Sequence, residues 1–441
     1  MTIELLRQYS RQIWEAALLR ANPSSCIPQA ICVKAGALHT SRKKYSLDGR
    51  VFVIGAGKAG ARMADVIEGM LGDRIAGGLV VTKYGHRLPL RRIELREAGH
   101  PIPDEAGIRA VEDLRQFVSG LNPNDLVLCL ISGGGSALWP APAEGITLQQ
   151  KQEVTSLLLR AGAGIRELNA VRKHLSAIKG GQLARWVWPA QMVSLIMSDV
   201  VGDPLDFIAS GPTAPDTTSF SNAMGIVRKY GIPVPAAVLE RFRKGERGEI
   251  SDTPKPGDPV FDSVENVIVA NTRLLIQAAR RKAEELKFNT LVLAAEIEGE
   301  ARDVGLMFAA VAHGIDVSGN PIRAPACVLG AGETTVTVRG KGLGGRNQEM
   351  ALAWAHAMEL RRPTLPCCFA SVATDGTDGP TDAAGGLVDP STCTRAAGLG
   401  LNASEFLQAN DSWTLLKATG DLIVTGPTQT NLMDLQILLS G

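Results

Sequence analysis

The chain has 441 residues, enough for two domains of ordinary size, and its 45% hydrophobic but only 5% aromatic content demands largely aliphatic cores. A formal net charge of +1, with no basic run interleaved with aromatics, argues against nucleic acid and against a membrane surface as partners. Seven cysteines, without C-x-x-C spacing, argue against a disulfide frame or zinc finger and for buried thiols in a reducing compartment.

In chain order, Met1-Thr-Ile-Glu-Leu-Leu-Arg7 carries charge where a signal peptide needs an apolar core, and no apolar run is long enough for a membrane helix. A cytoplasmic protein is expected. The stretch to about residue 40 reads as helical. Val51–Ile54 reads as a short strand, Gly55–Gly60 as a glycine turn and Ala61–Met70 as a helix. Strands follow at Gly78–Thr82 and Ile93–Glu97, a helix at Asp104–Val118, and a buried strand at Leu126–Ile131. Gln149–Ala161 and Glu167–Ala184 predict two helices, and Met192–Met197 a further buried strand.

Between Gly231 and Asp262 five prolines fall among charges and glycines, which suits a surface connection. Alternation then resumes, with strands at Asn266–Ala270, Thr290–Ala294, Ala326–Leu329, Thr335–Val338, Cys368–Val372 and Leu422–Thr425. Helices are expected at Thr272–Leu286, Glu300–His313 and Arg346–Leu360. This pattern predicts two α/β domains with largely parallel sheets, residues 1–250 and 251–441.

The most informative stretch runs from Leu126 to Ala137. A strand ends in Gly133, Gly134 and Gly135, bracketed by Ser132 and Ser136. Glycines there let the backbone turn with its N–H groups exposed, a nest suited to anions and above all to phosphate.

Gly55-Ala-Gly-Lys-Ala-Gly60 matches the G-x-G-x-x-G spacing through Gly55, Gly57 and Gly60. A dinucleotide site of that type needs an acid at the end of the next strand, but that strand ends Thr82-Lys83-Tyr84-Gly85. Arg87 would suit a 2′-phosphate, so a nicotinamide cofactor stays open. A generic phosphate beside Lys58 fits better, and a turn required only for packing is the third reading. No G-x-x-x-x-G-K-[ST] occurs, so a phosphoryl-transfer enzyme here belongs to another lineage.

Asn169–Gly181 is dense in cations: Arg172, Ser176 and Lys179 share a helical face, with Lys173 one residue round. A solvated basic face and a phosphate contact both account for it. Asp199 and Asp203 follow a buried strand, where ligands and bases of open α/β sheets sit, although such turns also occur without function. In the second half, Gly344 and Gly345 feed a helix whose first turn holds Arg346, Asn347 and Gln348. Asp375, Asp378 and Asp382 follow another buried strand; without a terminal Glu they suit Mg²⁺ with phosphate better than a calcium loop. Cations and carboxylates at successive strand ends are what handling a phosphorylated ligand with a divalent cation requires.

Taken together, Ile54–Ala59, Gly99–Asp104, Ser132–Ala137, Asn169–Gly181, Ser198–Asp203, Gly344–Glu349 and Ala373–Gly379 resemble the motifs of class II glycerate kinases. These join an N-terminal glycerate kinase domain to a MOFRL domain, and the resemblance covers nearly the whole chain in the same order. It implies ATP-dependent phosphorylation of D-glycerate to 2-phosphoglycerate, with ATP and Mg²⁺, in a cleft between the domains. Lys58 and Arg346 match the leading catalytic cations, and Asp199 joins them as a catalytic candidate.

In the same reading Ser132, Gly133, Gly134, Gly135, Ser136, Arg172 and Lys173 contact substrate or phosphate. Gly55, Gly57, Gly60, Gly344, Gly345 and Asn347 contact nucleotide, and Asp203, Asp375 and Asp378 hold metal. The late loop departs from the family pattern at Gln429, where a glycine is expected, and at Leu432-Met433. Members are often labelled hydroxypyruvate reductase, and an NAD(P)H-dependent reductase resting on Gly55–Gly60 is the rival. A non-catalytic sugar-phosphate sensor would leave the Asp-rich loop without purpose. Oligomeric state, a homo-oligomer included, is left open.

Overall fold

Val51–Ala56 and Leu126–Ile131 are buried along their whole length, as strands are when helices cover both faces of a parallel sheet. The computed structural model describes residues 1–441 and resolves into two compact units, Cys26–Val269 and Met1–Ser25 with Ala270–Gly441.

The first unit opens with a small antiparallel sheet of β1 (Cys32–Lys34), β2 (Ala37–His39) and β3 (Lys44–Ser46). Its main sheet contains β4 (Val51–Ala56), β5 (Ile75–Lys83), β6 (Ile93–Ala98), β7 (Leu126–Ile131), β8 (Gln191–Met197) and β9 (Val264–Ala270). Their order is β6-β5-β4-β7-β8-β9, and β6 through β8 pair in parallel. The chain starts in the middle at β4, winds outward through β5 and β6, then returns to β7 on the other side. The switch point therefore lies between β4 and β7, where doubly wound sheets place their ligands.

The second unit holds β10 (Asn289–Ile297), β11 (Ala326–Gly332), β12 (Cys367–Ala373), β13 (Gly385–Val388), β14 (Leu422–Ile423) and β15 (Asp434–Ser440). They run in the order β10-β11-β15-β12-β13-β14. Only β10 and β11 are parallel; β15 pairs antiparallel with both β11 and β12. The α/β class thus holds for both units, with a parallel sheet in one and a mixed sheet in the other. The helix Arg346–Arg361 is buried on nearly every side; its Trp354 stacks on Phe369 of β12 with centroids 5.6 Å apart. That burial fixes the helix on which Arg346 is the first residue.

The boundary differs from the expected one. β9 adds to the edge of the first sheet beside β8, so the first unit extends past residue 250. The helix Ile3–Ala21 packs with the second unit: Arg7 reaches Asp389 at 2.7 Å and Asp421 at 2.9 Å, both carboxylates buried. The expected strand Thr335–Val338 reduces to a single bridge, Glu300 with Thr335. The expected helix Glu167–Ala184 divides into Ile165–His174 and Gln182–Val187. All seven cysteines are free, and no helix is long and apolar enough to cross a membrane.

Candidate active site

Two glycine loops interlock at the switch point. Gly133 O accepts from the Lys58 amide at 2.8 Å, and the buried Ser132 hydroxyl accepts from the Ala59 amide at 3.0 Å. Gly55 lies so close to β7 that a Cβ would stand 2.5 Å from Leu130 O. Gly134 takes a φ of +85°, and a Cβ there would lie 2.8 Å from the His100 ring and 3.4 Å from Lys58 Cγ. Lys58, His100 and the triglycine turn therefore form one cluster. The Gly133 and Gly134 N–H groups donate to no backbone carbonyl, which leaves them available to an anion.

Ser132 joins the two loops, so its hydroxyl is occupied. Ser136 faces a second network: its O and Oγ accept from Lys179 Nζ at 2.8 and 2.7 Å, and its Oγ lies 3.1 Å from Ser210 Oγ. Ser210 donates in turn to Asn169 at 3.1 Å. Beside Ser136 opens a cavity of 540 Å³ lined by Lys151, Arg172 and Lys179 and by the apolar Pro101, Ile102 and Leu159. Burial, with Arg172 and Arg241 nearby, pushes the Lys151 ammonium down to about 7. Burial, with Lys151 and Arg172 nearby, holds Lys179 well below the ordinary lysine range.

Lys173 is placed differently from the sequence expectation. It is buried, with its Nζ 3.2 Å from both Asp206 and the fully buried Asp216, so two carboxylates hold it. Adjacent residues on one helix thus divide, Arg172 to the cavity and Lys173 to the core.

In the second unit Arg346 is gripped from behind by Asp434, the first residue of β15, at 2.5 Å (Nε to Oδ2) and 3.0 Å (Nη2 to Oδ1). Glu333 adds a more exposed contact at 3.1 Å. Burial pushes the Asp434 carboxyl up, against the pull of the Arg346 guanidinium.

Asp378, expected as a metal ligand, is placed against the start of the Arg346 helix. It is buried, and its two oxygens accept from the Asn347 and Gln348 amides at 3.2 and 2.9 Å and from their side chains at 3.3 and 3.1 Å. A carboxylate so saturated is a helix cap. Asn347, buried and accepting from Ser371 Oγ at 2.6 Å, belongs to the same framework. A Cβ on Gly345 would strike Asp378, and one on Gly344 would strike Ser412 Oγ, so these glycines serve packing. Asn347, Gly344 and Gly345, expected as nucleotide contacts, are thus held in place by this packing.

Asp199 and Asp203 lie half-buried in the loop after β8, the strand beside β7. Asp375, half-buried after β12, accepts from Thr377 N and Oγ1, both at 3.0 Å, through one oxygen. Mg²⁺ commonly keeps several waters and takes one or two carboxylates beside substrate phosphates. Half-buried Asp203 and Asp375 suit that donor pattern, and Asp378 does not. The sequence reading missed Lys151, His100 and Asp434 as site residues. Each gains its place from a partner distant in sequence.

A family model described as Domain of unknown function (DUF4147) matches residues 9–243, and the MOFRL family model matches residues 326–434. The chain is 43% identical over 402 residues to the D-glycerate 2-kinase of Thermotoga maritima, covering 91% of this chain and 93% of that relative. A relative from Agrobacterium vitis with a provisional hydroxypyruvate reductase name is 41% identical over 437 residues, covering 99% and 94%. The crystal structure of a glycerate kinase from Thermotoga maritima superimposes with a TM-score of 0.88 at 39% identity, covering 99% of this chain and all of that one.

Proposed function

The chain belongs to the glycerate kinase family that joins a DUF4147 region to a MOFRL region, and on that premise we propose that it phosphorylates D-glycerate on its 2-hydroxyl with ATP. The observation that carries the reading is the Lys58–His100–Gly134 cluster at the switch point, built to meet an anion, in a chain whose kinase-named relatives match over 91% and 98% of its length. The substrate hydroxyl oxygen attacks the γ-phosphorus, the bond from that phosphorus to the bridging oxygen breaks, and ADP leaves with 2-phosphoglycerate as product. Asp199 accepts the hydroxyl proton.

Phosphoryl transfer asks the protein for alignment and charge neutralisation more than for covalent help. The Lys58 ammonium and the Gly133 and Gly134 N–H groups stabilise negative charge on phosphate oxygens. Arg346, oriented by Asp434, supplies the second cation. Loss of such a cation costs on the order of a hundredfold in rate. Asp203, and separately Asp375 in the other unit, are each proposed as carboxylates that would hold Mg²⁺, whose chemistry is to neutralise charge on the nucleotide phosphates. We place the activity in the cytoplasm on the strength of the seven unbridged cysteines.

The rival hydride-transfer reading asks for an acid at the end of β5, and that strand ends Thr82-Lys83. Incubation with ATP, Mg²⁺ and D-glycerate, followed by phosphorus NMR, should give a 2-phosphoglycerate signal that disappears in Lys58→Ala. No consumption of ATP, together with NADPH oxidation on hydroxypyruvate, would reverse the assignment.

A further inference from the structure

Three basic side chains, Lys151, Arg172 and Lys179, converge on the 540 Å³ cavity beside Ser136, and no Asp or Glu lines it. Lys179 is 3% exposed and Lys151 9% exposed, and neither forms a salt bridge. Lys179 Nζ donates to Ser136 O and Oγ, and Lys151 Nζ donates to Pro140 O, so each ammonium keeps a donor unspent. Arg172 has neither a hydrogen bond nor a carboxylate partner for its guanidinium, and burial alone lowers its proton affinity. Removing charges from water costs several kcal/mol each unless an opposite charge compensates.

The molecule itself supplies the control. Lys173, the next residue on the same helix, is equally buried and is given two carboxylates. The fold thus gives two carboxylates to the basic side chain that faces its core and no acidic partner to the three basic side chains that face a cavity. The walls add Ile102 and Leu159, 72% and 56% exposed, with Pro101, Pro140 and Leu148. The volume is that of a site for an organic molecule, well beyond a bare ion.

We propose that this cavity is a binding site for an organic anion, whose carboxylate or phosphate settles on Lys151, Arg172 and Lys179 while its body lies along the Ile102–Leu159 wall. Through Ser136, which Lys179 holds by two hydrogen bonds, an occupant also bears on the triglycine turn.

The test is calorimetric titration of the full chain with ATP, 2-phosphoglycerate and D-glycerate in turn, at low salt and without Mg²⁺, in wild type, Arg172→Met and Lys151→Met. Arg172→Met strips no acceptor of its donor and relieves repulsion, so its thermal midpoint should not fall; Lys151→Met stands in should it fail to fold. At least one ligand should lose tenfold or more in affinity in the folded variants. Loss confined to ATP and 2-phosphoglycerate assigns a phosphate occupant, and loss confined to D-glycerate a carboxylate. Unchanged affinity for all three, or no binding of any by wild type at millimolar concentration, overturns the proposal. The readout is binding, so failure to form 2-phosphoglycerate would remove the kinase reading and leave this one standing.

Discussion

Asp434→Asn isolates what holds Arg346. The wild-type carboxylate is completely buried and meets the guanidinium through two hydrogen bonds, at 2.5 and 3.0 Å. Two opposite charges about 4 Å apart are worth about 4 kcal/mol at the effective dielectric of a partly buried pair, and breaking a buried pair costs about 3–5 kcal/mol. Asparagine keeps the shape and one acceptor oxygen, and Glu333 still faces Arg346 at 3.1 Å from a half-exposed position. The loss should therefore sit near the lower end, about 3 kcal/mol, read as a lower urea midpoint with an unchanged slope.

The kinetic consequence separates positioning from scaffolding. A guanidinium freed from its orienting carboxylate keeps its charge and loses its aim, so kcat should fall about ten- to hundredfold with a smaller change in KM. A variant destabilised by 3 kcal/mol whose kcat per folded molecule is unchanged would refute the claim that Asp434 acts through Arg346. A variant with unchanged stability would refute the pair itself.

Gly134→Ala combines a left-handed φ of +85° with a Cβ 2.8 Å from the His100 ring, and should lose about 2–4 kcal/mol and most activity. Adding His100→Ala should restore part of the stability, by relieving the clash but not the φ, as thermal melts of the single and double variants would reveal. Lys173→Met leaves Asp206 and Asp216 unpaired and should cost about 3–5 kcal/mol while the folded fraction keeps its kcat; a fall in kcat at intact stability would return Lys173 to the site. Lys151 sheds its proton near 7 in the native state, where Arg172, Lys179 and Arg241 surround it, against 10.5 for an ordinary lysine. Between those values the unfolded chain binds the extra proton, so Lys151 makes stability rise with pH, by roughly 5 kcal/mol at most. Denaturation midpoints of wild type against Lys151→Met from pH 6.5 to 9.5 should diverge accordingly, and parallel curves would count against the lowered proton affinity of Lys151.

The features legible in the sequence were the local ones. Buried runs ending in glycine identify β4 and β7, because strand and turn signals lie within a dozen consecutive residues. What escaped was decided at a distance. Asp434-Leu-Gln-Ile-Leu-Leu-Ser440 has a single β-branched residue, yet it becomes the inner strand β15 because β11 and β12 pair with it on both sides. Its first residue is the partner of Arg346, so missing the strand meant missing the partner. Helical periodicity set Arg172 and Lys173 on adjacent faces and could not say which was paired, since the acids that claim Lys173 lie 33 and 43 residues further on. Asp378 read as a metal ligand for the same reason: the amides it caps belong to a helix that begins 32 residues earlier, at Arg346.

The glycine fingerprint at Gly55–Gly60 matches dinucleotide spacing through a different physical requirement. Gly55 is glycine because β7 runs too close for a side chain, and Gly57 because its position is filled by Ser132. Ala59 and Lys58 then donate their amides to Ser132 and Gly133, so the residues that would wrap a pyrophosphate are spent on gripping the neighbouring loop. That grip presents the Lys58 side chain toward Gly134 and His100, and leaves the Gly133 and Gly134 amides as the donors free to meet an anion. In the proposed function anion recognition therefore belongs to the second loop rather than the first. A chain with that division of labour carries the spacing of a nicotinamide site without its chemistry, which is why the spacing alone does not separate a kinase from a reductase.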